Sequence, residues 1–264
     1  MKKTLFLCAL FLGILHAEDG IIANFGVGAG FNQYSEPSLM HTNELLLNAN
    51  ANLGYRYQFA KLEAVGDGFT TVGQYRGHYR NDPLDGTSKE GTVKMTTMSQ
   101  TFDGQLKAGV DLFGFSSSYD LFLQSGIGYR YLYHNTAGFK RAQIYVYVPI
   151  ELEGEIAASP SFAWTYSLGY KHLIEGRHAS LIRQIGTDEE DYYAKQDKGF
   201  GAKASFGWKE TSSDSKTFTR FVVDYWKINQ ADRKPIVNHL GVIKNPYEPK
   251  NFTISVFVQH GWRF

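Results

Sequence analysis

The feature that most constrains this chain is a strict two-residue alternation that runs unbroken from Leu45 to Tyr57. Leu45, Leu47, Ala49, Ala51, Leu53, Tyr55 and Tyr57 alternate with Leu46, Asn48, Asn50, Asn52, Gly54 and Arg56. Successive side chains of a β-strand point to opposite faces. One face of this segment is therefore apolar and aromatic, and the other is mostly amide, glycine and arginine. Strands of soluble sheets centre on about 5–6 residues, whereas strands that cross a bilayer need about 9–11. A soluble sandwich tolerates the alternation; its length points to a membrane.

The pattern recurs over 23–31, 102–110, 119–131, 144–152, 162–170, 200–208 and 252–264. Residues 60–75, rich in glycine, and 217–228, apolar on both faces, read as less regular strands. The sequence thus predicts an all-β fold: a closed antiparallel transmembrane β-barrel of about ten strands. Short periplasmic turns are expected near 59–61, 111–118, 155–161 and 209–216. Long extracellular loops are expected near 33–43, 76–92, 134–141, 173–198 and 229–250. An even strand count puts both ends of the barrel in the periplasm. Trp164, Trp208 and Trp262 then collect at the periplasmic interface, and Tyr129, Tyr131 and Tyr170 near the outer one, where amphipathic rings are favoured. Pro149 interrupts a strand that has no edge to hide it, which predicts a local bulge or a strand shifted toward its turn.

Residues 1–17 read as a signal peptide and 18–264 as the barrel domain. Lys2 and Lys3 precede an apolar run, Leu5–Leu15, that is too short to span a bilayer as a helix, and Ala17 precedes a polar start at Glu18. The only cysteine, Cys8, lies inside that run, so the barrel domain has no disulfide and no thiolate metal site. A net charge of +1 without a basic tract argues against nucleic acid as a partner. No cofactor is indicated: Gly26, Gly28 and Gly30 lack the spacing of a dinucleotide loop and read as small inward residues.

In the last segment Phe252, Ile254, Val256, Val258, His260, Trp262 and Phe264 share one face, and Gly261 and Arg263 the other. This resembles the C-terminal strand of Gram-negative outer-membrane β-barrel proteins, with Trp262 and Phe264 at the two aromatic positions and a polar His260 as a departure. The resemblance implies integral placement in the outer membrane in contact with its lipid. It also implies recognition of Trp262 and Phe264 as an assembly signal by the barrel-assembly machinery.

The inward faces carry both signs of charge: Arg56, Asp103, Lys107, Arg130, Glu151, Glu153, Lys171, Lys203, Arg220 and Asp224. Barrels of about eight strands are filled by side chains, whereas 16 or more strands leave an aqueous channel. Paired charges are therefore expected to plug a ten-strand lumen, with Glu151 and Glu153 facing arginines or lysines. Outside, Asp188, Glu189, Glu190 and Asp191 form an acidic run followed by Tyr192 and Tyr193, a combination suited to contact with an extracellular partner. Arg233, Lys234, Lys244 and Lys250 give the last loop the opposite charge, which predicts a two-loop cap over the mouth.

The expected function is a non-enzymatic surface contact, adhesin-like as in Opc-type proteins, or a structural role. A narrow channel for ions or small polar solutes is the alternative, and a hydrolase the third reading. An omptin-like protease would need an acidic pair opposite an Asp-x-His. Asp82, Asp85, Glu175 and His178 have other spacings, and no Asp-x-His occurs in the chain. A lipid A deacylase would need His-x-Ser beside an acid; His178 and Ser180 fit, with Glu175 nearby, but in a predicted loop.

Overall fold

The computed structural model describes residues 20–37, 39–81, 89–113, 119–136, 139–181, 191–210, 216–232, 236–237, 243–244 and 247–264. The predicted signal segment lies outside the described residues. The strands are β1 (Gly20–Glu36), β2 (Met40–Tyr57), β3 (Ala60–Asn81), β4 (Lys89–Asp111), β5 (Tyr119–Thr136), β6 (Phe139–Ser159) and β7 (Phe162–Leu181). They continue with β8 (Tyr192–Lys195), β9 (Gly199–Glu210), β10 (Thr217–Ile228), β11 (Ile236–Val237), β12 (Ile243–Lys244) and β13 (Asn251–Arg263). β11 and β12 form a separate hairpin. The others close into one antiparallel barrel of ten strands, in which β8 and β9 are two pieces of a single wall strand against β7.

Closure answers the solvent. Hydrocarbon offers no hydrogen bonds, so every backbone group in the wall must pair with a neighbour. β1 meets β13 from Asn24↔Arg263 to Ser35↔Phe252, and Phe264 N donates to Ala23 O at 2.9 Å. The inward glycines of β1 allow close approach of that seam: a Cβ on Gly30 would sit 2.1 Å from Val256 O and 2.5 Å from Phe257 Cα.

Phe31, Leu47, Leu53, Leu62, Leu106, Ile127, Leu168, Phe206 and Val258 stand outward and form an apolar belt. Trp164, Trp208 and Trp262 face outward at the end that carries both termini, with Trp164 and Trp208 ring centroids 6.3 Å apart. His260 also faces outward, bonded to Thr219 Oγ1 at 2.9 Å and edge-on to Trp262.

The connections at the outer end differ from the sequence expectation. β1 runs to Glu36 and β2 restarts at Met40, where a loop over 33–43 was expected. β5 runs to Thr136 and β6 begins at Phe139, so 134–141 is almost all strand, and β7 continues to Leu181. Above the membrane both faces of a strand are wet, so the apolar–polar alternation fades although the ladder continues.

Pro149 sits opposite a lapse in the β5–β6 ladder between Ser125↔Ile150 and Gly128↔Tyr147. Ser125 Oγ donates to Pro149 O at 2.9 Å. The register is the same on both sides of the lapse, so no bulge forms there. The bulge lies on the other side of β6, where the register steps from Val146↔Glu175 to Tyr147↔Leu173 and leaves Ile174 unmatched.

That extra residue reverses the facing of β7. Gly169, Lys171 and Leu173 point inward below it, and Gly176, His178 and Ser180 above it. The next wall strand makes the same reversal. Tyr192, Ala194 and Gln196 point inward, the chain leaves the strand over 196–198, and Gly201 resumes the inward face in β9. Gln196 N donates to Gly176 O at 2.8 Å and ties the two irregularities together at one level.

Candidate functional site: a bridged lumen and a polar mouth

The structure places all ten of the sequence-derived inward charges inside the barrel and brings most of them into contact. Nearest the periplasm, Arg56 meets Asp120 at 2.7 Å and Asp111 at 3.1 Å, with its guanidinium over the Phe122 ring. Lys61 meets Glu63 and Glu153, and Lys107 meets Glu151 at 2.7 Å and Glu63 at 3.3 Å. Glu151 and Glu153 thus face lysines.

At mid-height Arg130 and Lys171 each contact both Asp103 and Asp224, a quartet of two cations and two anions. Tyr147 Oη donates to Asp103 as well. Lys203 reaches Asp67 at 2.8 Å, and Arg220 bonds Gln259 at 2.6 Å and Asn50 at 3.1 Å. β3 and β9 lie diametrically opposite in the strand order, so the Lys203–Asp67 pair spans the lumen.

Two apolar clusters lie among these charges: Tyr145, Tyr147, Leu173, Trp226 and Ile228, and Leu46, Phe69, Val222 and Phe257. Trp226 stacks on Tyr145 and meets Tyr147 edge-on, while Arg130 and Lys171 sit over its ring at 5.4 and 5.1 Å. These clusters explain why β10 is apolar on both faces: one faces lipid and the other packs the lumen.

The outer mouth is polar and was not foreseen. Arg141 of β6 pairs with Glu36 of β1, on the opposite wall, at 2.5 Å, and with Glu248, which descends from the segment before β13. Gln196 Nε2 holds that segment through Asn229 O and Pro249 O, each at 3.1 Å, and Ala231 N donates to Glu248 O at 2.9 Å. Burial pushes the Glu248 carboxyl up to about 8, outweighing the pull of Arg141. Deeper in the mouth, Glu44 accepts from Asn32, Thr71 and Ser99, and Ser99 Oγ meets His134 Nδ1 at 2.8 Å. One signal for these residues was present in the sequence. The polar phase of β1, from Asn24 through the glycines to Asn32, continues without a break to Tyr34 and Glu36.

Ser180, His178 and Glu248 do come together at the mouth, and the acid is Glu248, not Glu175. Glu175 faces outward and accepts from Arg177 at 2.6 Å. The wiring differs from a relay. Ser180 Oγ lies 2.8 Å and Glu248 Oε2 3.0 Å from the same nitrogen, His178 Nε2. The Gln143 oxygen accepts from Tyr145 Oη, so its nitrogen donates to His178 Nδ1. Nε2 then carries the proton and leaves no lone pair for Ser180, whereas a nucleophile needs its base on one ring nitrogen and the orienting acid on the other. Asp82 and Asp85 lie outside the described residues.

The surface candidates are divided. Asp188, Glu189 and Glu190 lie outside the described residues, and Asp191 is half-buried. Tyr192 points inward and packs with Ala194 and Ala231, which corrects its expected exposure; the strand alternation at β8 turns it away from its neighbour. Tyr193 is 65% exposed. Segments 191–198 and 229–232 do pack together over the mouth, but through Ala231 and the Gln196 amide. Of the cations expected in that cap, Arg233 and Lys234 lie outside the described residues and Lys250 is exposed.

No protein-family model matches the chain, and no curated protein matches it. Among solved structures it is similar to the outer membrane protein OprG from Pseudomonas aeruginosa, at 12% identity over 92% of this chain and 96% of that one, with a TM-score of 0.36. It is similar to the translocator domain of the autotransporter NalP from Neisseria meningitidis, at 12% identity over 100% and 95%, with a TM-score of 0.37. It is also similar to the Pseudomonas putida toluene transporter TodX, at 9% identity over 93% and 90%, with a TM-score of 0.34. With its closed ladder, outward apolar belt, aromatic rim and polar interior, the chain is an integral β-barrel protein of the outer membrane.

Proposed function

We propose that this barrel is a non-conducting, non-enzymatic surface protein whose outer end contacts an extracellular partner. The observation that carries the reading is the bridging of opposite walls at two heights, by Lys203–Asp67 and by Arg141–Glu36. Charges that meet across the full diameter stand where solute would have to pass, and the Trp226 cluster packs the space beside them. The proton on His178 Nε2 argues against Ser180 as a nucleophile. What remains available is the outer end, where the strands project beyond the belt and Tyr193 stands exposed. Long connections are commonly functional. Assembly of the barrel through Trp262 and Phe264 by the barrel-assembly machinery is part of the same proposal.

The alternative, a narrow channel, is separated by one experiment with two arms. Planar bilayers containing the purified barrel should show no steady conductance. Replacing residues 182–190 with a short turn should abolish adherence of expressing cells to host or bacterial surfaces while the barrel still inserts. Stable single-channel steps would favour the channel, and adherence that survives the replacement would remove the contact reading.

A further inference from the structure

Three lysines meet on the outward face of the wall, at the outer edge of its apolar belt. Gly199 of β9, Ile228 of β10 and Asn251 of β13 lie in one row of the ladder, with Ile228 paired to both of the others. Ile228 and Asn251 are buried, and a Cβ on Gly199 would point at Ile228 Cδ1, 3.0 Å away, so the row faces the lumen. The residue before each then faces outward. Those residues are Lys198, Lys227 and Lys250, and all three are exposed. Neighbouring strands run antiparallel, so Lys198 and Lys250 stand one step above the row and Lys227 one step below it, between them. With strands about 4.8 Å apart and a rise of about 3.4 Å per residue, the Lys227 backbone lies about 8 Å from each of the other two. Asn229 N donates to Lys198 O at 2.8 Å and holds the backbone at this level.

Depth and charge define what these cations can meet. Phe200 and Phe252 flank Lys227 in the ladder. Phe200 packs against Tyr225 and Tyr170, with ring centroids 6.1 and 6.0 Å apart, and these rings form the outer aromatic band. Lys198 stands ten residues from Trp208 of the periplasmic band. At about 3.3 Å per residue and a tilt of about 40°, that is about 25 Å of height, the height of the outward apolar band of such barrels. The lysines therefore project sideways into the headgroup layer and not upward from the loop tips. Among the described residues none of the three forms an ion pair, and Asp197, next to Lys198, is taken by Lys195 at 3.3 Å. Cations this close repel one another, and a multivalent anion between them relieves the repulsion. At the periplasmic rim the outward side chains are aromatic, as in Tyr55, Tyr57, Trp164, Trp208 and Trp262, and no such cluster occurs there among the described residues.

We propose that Lys198, Lys227 and Lys250 bind the phosphate groups of a phosphorylated lipid of the outer leaflet, whose acyl chains lie down the wall against Phe200, Tyr225 and Phe252. Lysine acts on phosphate as a point charge and imposes no planar geometry, which suits a ligand approaching from the side. The inference rests on the outer-membrane placement and stands whether or not the loops contact a partner.

The test uses the whole barrel purified in neutral detergent, with retained lipid counted by native mass spectrometry. The probes are diphosphoryl lipid A and the same lipid with both phosphates removed. Inorganic phosphate and heparin serve as soluble competitors. The expected result is saturable retention of diphosphoryl lipid A, at least about tenfold weaker retention of the dephosphorylated form, and no displacement by either competitor at equal concentration. Lys198→Gln, Lys227→Gln and Lys250→Gln together should weaken retention at least about tenfold, and arginine at the same three positions should preserve it. Arg76→Gln with Lys94→Gln removes two exposed cations paired across β3 and β4 on the opposite wall, and should change affinity less than about twofold, since that wall lies beyond the screening length. Heat-modifiable migration establishes that each variant is folded. Equal retention of the two lipids, an unchanged affinity in the glutamine variant, an equal loss in the opposite-wall variant, or displacement by either soluble anion would each overturn the proposal.

Discussion

Asp224→Asn tests the charge plug most directly. In the folded barrel Arg130 lies 3.1 Å and Lys171 2.9 Å from Asp224, while each stands 3.4 Å from Asp103. The substitution keeps volume and removes one of two anions, so two buried cations must share Asp103. At about 3 Å and an effective dielectric of about 20, each direct contact is worth about 5 kcal/mol before desolvation. Part of that was spent removing the ions from water, and breaking a buried pair typically leaves a net loss of about 3–5 kcal/mol. Urea titration of the barrel in liposomes, read by heat-modifiable migration and by the fluorescence of the buried Trp226, measures the loss. Asp224→Asn combined with Lys171→Met restores one cation to one anion and should cost less than the two single changes together, by about 1–3 kcal/mol. A single-variant loss under about 1 kcal/mol, or strict additivity in the double variant, would refute the view that the quartet is a balanced electrostatic unit.

Other outcomes follow from the same geometry. Deleting Phe264 removes the Phe264 N–Ala23 O bond and the terminal aromatic ring, and should lower outer-membrane levels and leave periplasmic fragments on immunoblots. Gly126→Ala places a Cβ 1.9 Å from Leu106 O and should cost about 1–3 kcal/mol in the same urea titration, whereas Gly66→Ala, whose nearest atom is 3.9 Å away, should lie within about 0.5. Glu248 has a folded pKa raised from 4.5 to about 8, so its contribution is complete below about 4.5 and is lost as pH rises through about 8. The hydrogen-exchange protection of residues 247–250, taken relative to the base-catalysed intrinsic rate, should therefore fall above pH 8, and Glu248→Gln should remove that fall, since Arg141, Glu36 and His178 would then face a neutral amide.

The sequence was most legible where lipid imposed a rule. Outward faces from Ala23–Phe31 to Phe252–Phe264 were marked by alternation, except over the glycine-rich 60–75 and over 217–228, because each apolar side chain had to meet hydrocarbon. The inward charges were equally marked, because nothing else puts Arg56 or Lys107 in phase with glycine and amide. What escaped lay beyond the belt or across the lumen. Glu36, Arg141 and His134 fell in segments read as loops, since strands wet on both faces lose their pattern. The Trp226 cluster hid β10, since an apolar lumen face mimics a core strand. Glu248 acts by reaching over the rim from outside any strand, a contact between residues more than a hundred positions apart for which local sequence carries no sign.

The extra residue in β7 has a consequence for how such a chain can change over time. Deleting Ile174 would join Val146↔Glu175 and Tyr147↔Leu173 into one continuous ladder, in which Leu173, Gly176, His178 and Ser180 all keep their inward facing. A one-residue loss at that level can thus be absorbed by the bulge, whereas an odd insertion or deletion in a regular part of the wall exchanges the two faces beyond it. Between related barrels, single-residue length changes in this strand should therefore collect at the level of Ile174, with the mouth above and the plug below unchanged in composition.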